Sequence, residues 1–512
     1  MSIVSKIVHA ATAPRRKAIA HFGEHPFEEQ ERQLRRLLER GATTCIGRDY
    51  SFGGFAGYED FRRAVPVSDY EGLSPYIDRA RRGERDVLWP GRTEWFARSS
   101  GTTSSRSKYI PVTAQGLRDS HMRGPRDLAA VFSGLYPRSE VFSGKLLTLG
   151  GSHCIEREGE TARTGDLSSI LIEHTPRIGR GMRVPGKRAA LTADFDRKVE
   201  LICREAAGED VRSFAGVPSW NLVLMNRILE YTGKSNLLEV WPRLELFTHG
   251  GMSFKPYREI YRRLIPSPQM KYIETYNASE GFFAIGDRPG RDDMLLMLDY
   301  GIFYEFLPVD DLSRPERAVP LEGVAEGVNY AMIITTSCGL WRYMIGDTVE
   351  FTSLAPHRIR ITGRTRHYMN AFGEEIVVEN AESAVSEACR RTGAVVREFT
   401  AAPVYMEARS KGRHQWVVEF EAEPDEPQRF VRELDRALQE VNSDYAAKRF
   451  RDTTLYGPLL TVVPRGTFLE WMRRRDKVGG QNKVPRVYNA RDYVEELAAV
   501  GAELAPQSGA NE

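Results

Sequence analysis

The residues of this chain best suited to chemistry begin at RSSGTTSSRSKYIPVT (98–113). Ser99, Ser100, Thr102, Thr103, Ser104 and Ser105 crowd around Gly101, and Lys108 follows. Small side chains let successive backbone N–H groups converge on an anion. The hydroxyls add neutral donors and the lysine adds charge, so phosphate is the natural ligand. It is not a Walker A loop: a serine precedes Lys108, and the GxxxxGK[ST] spacing is absent. A Ser/Thr-rich surface loop is the alternative reading.

Four further stretches carry functional groups. In ETYNASEGFF (274–283) an apolar strand runs into Asn277, Ser279 and Glu280. Polar residues at the C-terminal end of a buried strand sit where α/β proteins place ligands. There Glu280 suits a metal ion and Tyr276 suits a base; a plain strand-terminal turn is the alternative. In CGLWRYMIGDTVEF (338–351) Gly346-Asp347 is expected to form a turn before a strand, where the carboxylate can accept both hydroxyls of a ribose; a turn that merely needs Gly and Asp sterically is the alternative. ITGRTRHYMNAFGEEI follows, with Arg364, Asn370 and Glu375, and GGQNKVPR (479–486) carries Lys483 and Arg486. The ten histidines form no HExxH and no ligand cluster; His249, in FTHGGMSF, reads as a structural histidine.

The elements that must position these groups interleave. Leu34, Leu37 and Leu38 mark a helix over 26–40 with Gly41 as its stop, and 43–98 reads as irregular. KLLTLGG (145–151) and MKYIETY (270–276) read as buried strands, and 220–233 as a helix capped by Gly233. The run 294–308 reads as a hairpin about Asp299, Tyr300 and Gly301. Strands are expected at 329–336, 348–353 and 358–363. After Gly363-Arg364 the pattern restarts on a smaller scale, with helices over 374–391 and 427–448 and strands at 396–406, 415–422 and 459–464. The tail after about 504 reads as frayed. Such alternation favours a mixed α/β architecture: a large N-terminal domain, 1–363, and a smaller α/β domain, 364–512, which the resemblance described below implies to be mobile.

Composition excludes several classes. The chain has 512 residues, 41% hydrophobic and 28% charged, which is ordinary for a globular protein. Lys+Arg 72 against Asp+Glu 70 leaves almost no net charge, so no global field favours nucleic acid or a membrane surface. No run of 18 apolar residues suggests a membrane span. The start lacks the order of a signal peptide, and five scattered cysteines without CxxC read as reduced thiols. A soluble cytoplasmic α/β protein, monomeric by preference, is the expectation.

Taken together and in this order, the five stretches resemble the adenylate-forming superfamily and, within it, the auxin-responsive acyl acid–amido synthetases, more closely their bacterial members. SSGTTSSRSKYIPVT resembles the family's phosphate loop, YNASEGFF its second motif and YMIGDTVEF its third. ITGRTRHYMNAFGEEIVVENAE resembles the crossover into its C-terminal domain, and GGQNKVPR its lysine loop. The resemblance spans 98 to 486. It implies an ATP- and Mg²⁺-dependent ligase that adenylates a small carboxylic acid and then transfers the acyl group to the amine of an amino acid. It further implies that Ser99, Ser100, Gly101, Thr102 and Thr103 cradle phosphate, with Asn277 and Ser279 beside it. Tyr276 would face adenine, Glu280 would hold Mg²⁺, and Asp347 would bind the ribose with help from Arg364. Lys483 would reach the α-phosphate, with Gly363 to Asn370 as the hinge. Two rivals remain: an acyl-CoA synthetase sharing the first step, and a nucleotide-binding protein without catalysis.

Overall fold

In the computed structural model the described residues are 2–99, 108–150, 155–159, 161–175, 179, 181–192, 194–252, 254, 257–365, 368–406, 411–450, 454–475 and 485–504. The chain divides into two units. The first comprises Met1–Ser99, Lys108–Gly251 and Tyr261–Thr365; the second is built chiefly from Arg366–Glu512, with Met252–Ile260.

The first unit contains, in chain order, strands β1 (Trp95–Ser99), β2 (Lys108–Val112), β3 (Lys145–Thr148), β4 (Glu156–Glu158), β5 (Ala162–Gly165), β6 (Arg183–Val184), β7 (Val211–Gly216) and β8 (Leu246–His249). They are followed by β9 (Lys271–Ala278), β10 (Gly281–Ile285), β11 (Met294–Leu296), β12 (Ile302–Pro308), β13 (Val319–Pro320), β14 (Asn329–Thr336), β15 (Tyr343–Leu354) and β16 (His357–Arg364). A small sheet has the order β2-β1-β5-β4. The main sheet runs β13-β12-β14-β15-β16-β11-β10-β9-β8-β7-β3-β6.

The main sheet changes character at β9. From β6 to β9 all neighbours are parallel; helices such as Phe195–Ala206 and Pro218–Thr232 supply the crossovers that parallel strands need. From β9 to β13 all neighbours are antiparallel. The helix 218–232 ends on Gly233 in the left-handed conformation, as its sequence predicts.

Several expectations need correction. The strands on either side of Asp299–Gly301 do not form a hairpin: β11 pairs with β10 and β16, whereas β12 pairs with β13 and β14. Both runs are buried, save the half-buried Pro308 at the end of β12, so neither has a solvent face to fix its partner. The crossing point is instead gripped by side chains. Arg15 makes two bonds to the Asp299 carboxylate, at 2.5 and 2.8 Å, and Arg123 a third at 2.7 Å. The Gln30 amide donates to the carbonyls of Leu298 and Ile302 and accepts from Tyr304 N–H. The stretch 43–98 is not irregular but holds helices Tyr58–Ala64 and Tyr70–Arg81. The helix expected to stop at Gly41 does run Pro26–Gly41, but this glycine serves packing: a Cβ there would lie 2.4 Å from the Trp341 indole.

The second unit contains β17 (Tyr368–Met369), β18 (Ile376–Val377), β19 (Val395–Val404), β20 (Arg413–Ala422) and β21 (Leu459–Val463), with a three-stranded sheet ordered β19-β20-β21. Phe468, Trp471, Val494 and Leu497 pack against Ala402, Val417 and Val463. The helix expected over 374–391 begins at Val378. Before it, Glu374 accepts the N–H groups of Ala371 and Phe372 and bonds His414 at 2.9 Å. The single helix expected over 427–448 is two, Pro427–Val441 and Ser443–Arg449. Asn442 breaks it because its side chain caps the second helix, accepting from Tyr445 N–H.

Candidate active site

Two hairpins of the main sheet build the site. In the first, β9 turns through Ser279 and Glu280 into β10, with Ala278 opposite Gly281 and Asn277 opposite Phe282. The turn is pinned from outside by Ser120, whose hydroxyl accepts the Phe282 N–H at 2.9 Å. Ser120 lies on a wide π-helical turn, Leu117–His121; such turns recur at functional sites.

The second hairpin is β15–β16. Gly346-Asp347, expected to be a turn ahead of a strand, lies inside β15. Pairing with β14 jumps from Met344–Ile333 to Thr348–Ala331, so β15 carries two extra residues there. Gly346 takes a φ of 94°, which favours glycine, and its carbonyl accepts Thr365 N–H at 2.8 Å. This bulge sets Asp347 opposite Arg364.

The Asp347 carboxylate joins the two hairpins. Tyr276 Oη donates to Oδ2 at 2.7 Å, and Arg364 Nε donates to Oδ1 at 2.8 Å. The Tyr276 side chain is buried, with its ring centroid 4.8 Å from that of Phe283. Burial and the Asp347 charge hold its phenol well above the usual range, so it stays a donor. Glu280 is buried at 8% exposure. Burial pushes its carboxyl up to about 7, and Asp347 adds to the rise; Lys108, its own backbone N–H and Arg364 counter it only in part.

Lys108 pairs with Ser99 where β1 meets β2. The next residue, Tyr109, donates its N–H to the Tyr70 hydroxyl at 3.1 Å, and Lys108 Nζ stands 5.9 Å from the Tyr70 ring centroid. Of the residues singled out from sequence, the structure therefore brings together Tyr276, Asp347, Arg364 and Glu280, with Asn277 and Ser279 on the same hairpin. Ser100, Gly101, Thr102, Thr103 and Lys483 lie outside the described residues. Sequence reasoning missed Ser120, Tyr70 and Tyr343. Ser120 and Tyr70 sit in segments with no motif; Tyr343 stood unremarked inside the quoted stretch 338–351.

Among the described residues no group of three or more His, Cys, Asp or Glu could hold a metal ion. Mg²⁺ does not require one, since it binds through one or two carboxylates together with substrate phosphates. A buried, undercompensated carboxylate fits that requirement, and Glu280 supplies it.

Three family models match the chain: the GH3 family N-terminal domain over residues 15–270, the central domain over 295–364 and the C-terminal domain over 379–492. The chain belongs to the GH3 family. Among its GH3 relatives, the indole-3-acetic acid-amido synthetase GH3.8 of Oryza sativa subsp. indica is 25% identical, covering 91% of this chain and 89% of that protein. The probable indole-3-acetic acid-amido synthetase GH3.1 of Arabidopsis thaliana is 24% identical, covering 93% and 92%. Two solved structures share the fold. The GH3.15 acyl acid amido synthetase superposes with a TM-score of 0.57 at 19% identity, over 92% of this chain and 93% of its own. A 2-hydroxyisobutyryl-CoA ligase in complex with 2-HIB-AMP and CoA gives 0.53 at 15% identity, over 95% and 93%. This GH3 chain therefore has the mixed α/β fold of adenylate-forming enzymes, with a large N-terminal and a smaller C-terminal part.

Proposed function

We propose that the chain is an ATP-dependent acyl acid–amido synthetase. A carboxylate oxygen of the acid attacks the α-phosphorus of ATP; the bond to the β-phosphate breaks, giving acyl-AMP and pyrophosphate. The amine of an amino acid then attacks the acyl carbon, loses a proton and displaces AMP, leaving an amide. The observation that carries this reading is the Asp347 carboxylate held between Tyr276 and Arg364, beside buried Glu280, in a chain whose relatives are amido synthetases.

In this reading Asp347 orients the ribose hydroxyls, and its two fixed donors keep its oxygens from rotating. Tyr276 lies against the base, and Arg364 holds Asp347 while adding charge near the phosphates. Glu280 holds Mg²⁺, which when bound neutralises phosphate oxygens. Lys108, Asn277 and Ser279, with Ser99 to Thr103, surround the polyphosphate. Lys483 steadies the charge that builds on the α-phosphate during adenylation. The 364–512 domain is mobile between the two half-reactions. The enzyme works as a monomer in the cytoplasm on small molecules; among the described residues no helix is long and apolar enough to cross a membrane.

The test is acid-dependent exchange of labelled pyrophosphate into ATP over a panel of aromatic, fatty and cyclopentanone carboxylic acids. Each active acid is then offered amino acids or coenzyme A. Exchange with amide formation is expected. Exchange with thioester formation moves the assignment to an acyl-CoA synthetase, and ATP binding without exchange to any acid moves it to a non-catalytic nucleotide binder.

A further inference from the structure

Among the buried polar groups without a hydrogen-bond partner in the described residues is one in this region. Tyr343 is fully buried, and among the described residues its hydroxyl makes no hydrogen bond. Stranding a hydroxyl costs free energy, and buried polar atoms are paired with few exceptions. The backbone that carries it is held on both sides. Tyr343 pairs with Ile334 of β14 and, in parallel, with Ser68. Ser68 N–H donates to the Arg342 carbonyl, and Met344 N–H donates to the Ser68 carbonyl. Arg342, at a φ of 43°, is itself fixed by a fork of bonds onto Glu305.

The surroundings locate this hydroxyl. Ser68 lies two residues before Tyr70, whose hydroxyl holds the Tyr109 N–H at the start of β2. The groups whose charge Tyr343 feels are Glu280, Tyr70, Asp69 and Arg364. Burial keeps the phenol protonated, so it can only serve as a neutral donor or acceptor. In the proposed site Tyr276, Asp347 and Arg364 mark the nucleoside end, and Lys108, Glu280 and Tyr70 mark the other end.

We infer that the Tyr343 hydroxyl, at the head of the stretch that resembles the third motif, donates a hydrogen bond to the nucleotide's polyphosphate beyond the α-phosphate. The inference rests on the nucleotide site proposed above. It explains why a tyrosine rather than a phenylalanine occupies a fully buried position without a hydrogen-bond partner among the described residues.

The experiment is Tyr343→Phe in the full chain. Melting of the nucleotide-free protein is measured alongside calorimetric affinities for ATP, inorganic pyrophosphate and AMP, each with Mg²⁺. The expected result is an unchanged or raised melting temperature, ATP and pyrophosphate bound about tenfold or more weakly, and AMP bound within about twofold of wild type, as loss of a bond to a charged group implies. Wild-type affinity for ATP overturns the inference. So does an equal loss for AMP and ATP, which places the hydroxyl at the nucleoside end. A fall in melting temperature with all three ligands weakened alike overturns it too, since the hydroxyl then serves the fold. A wild-type chain that binds ATP but supports no acid-dependent exchange removes the ligase reading and leaves this inference standing. A wild-type chain that binds no ATP removes both.

Discussion

At the scale of single residues the site depends on how a few buried charges are compensated. Asp347 has two strong donors on separate oxygens, so Asp347→Asn removes a charge that Arg364 needs as well as a ligand contact. ATP affinity should fall about tenfold or more, and the fold should lose about 1–3 kcal/mol, as expected when a charge-assisted hydrogen bond is weakened; calorimetry and urea melts measure the two separately. Glu280 is the opposite case. Its carboxylate is buried with only partial compensation, so a neutral isostere should cost the fold little. Glu280→Gln should therefore melt no lower than wild type while losing pyrophosphate exchange by about a hundredfold or more, the scale of a lost electrostatic stabiliser. A variant that melts lower and keeps its exchange would make Glu280 a structural residue. Asp347, Glu280 and Arg364 were singled out in sequence through the stretches that resemble family motifs, since alone each also reads as a residue of a plain turn. Tyr343 was not: a tyrosine in a strand reads as core until its burial and the lack of a hydrogen-bond partner among the described residues are both seen.

At the scale of elements, side chains far from the site decide which strands meet. The Gln30 amide takes up three backbone groups where the chain passes between β11 and β12. Gln30→Leu should leave them unpaired and lower stability by about 2–4 kcal/mol, read from urea melts. A loss under about 0.5 kcal/mol would mean that water replaces the amide. The π-helical turn that supports the Glu280 hairpin carries a different sensitivity. His121 is fully buried there, and burial pushes its imidazole down to about 4 from an ordinary 6.5. Between those values the unfolded chain binds a proton that the folded chain refuses. Stability is therefore whole above pH 6.5 and falls as pH drops toward 4, at about 1.4 kcal/mol per unit for one group. His357 is pushed down to about 4 by burial as well and adds in the same direction. Urea melts between pH 8 and 4 should show the decline, and His121→Gln should flatten it by one proton's worth. The same slope in the variant would clear His121 of that role.

For the whole molecule, the proposed ligase runs two half-reactions that make different demands. Adenylation gathers negative charge on phosphorus, whereas amide formation does not. Lys483→Ala should therefore slow pyrophosphate exchange far more than acyl transfer from a supplied acyl-adenylate. Equal slowing of both steps would remove the lysine from the adenylation role. The GH3 family models match N-terminal, central and C-terminal parts of the chain.

What the sequence by itself determined was the chemistry and the local elements. Motif order marked the adenylate-forming fold, and apolar periodicity placed β14 and the helices 26–41 and 218–232 almost to the residue. Those features depend on neighbours a few positions apart, which a linear reading can see. Only the tertiary structure decided that β11 and β12 part company, that Gly346-Asp347 bulges inside a strand, and that the Tyr276 and Arg364 side chains meet on one carboxylate. Strands buried on both faces carry no pattern that names a partner, and a turn residue and a bulge residue share the same preference for positive φ. Such choices are settled by contacts across many residues of chain, such as Gln30 with Tyr304 and Tyr276 with Asp347, and local sequence does not record them.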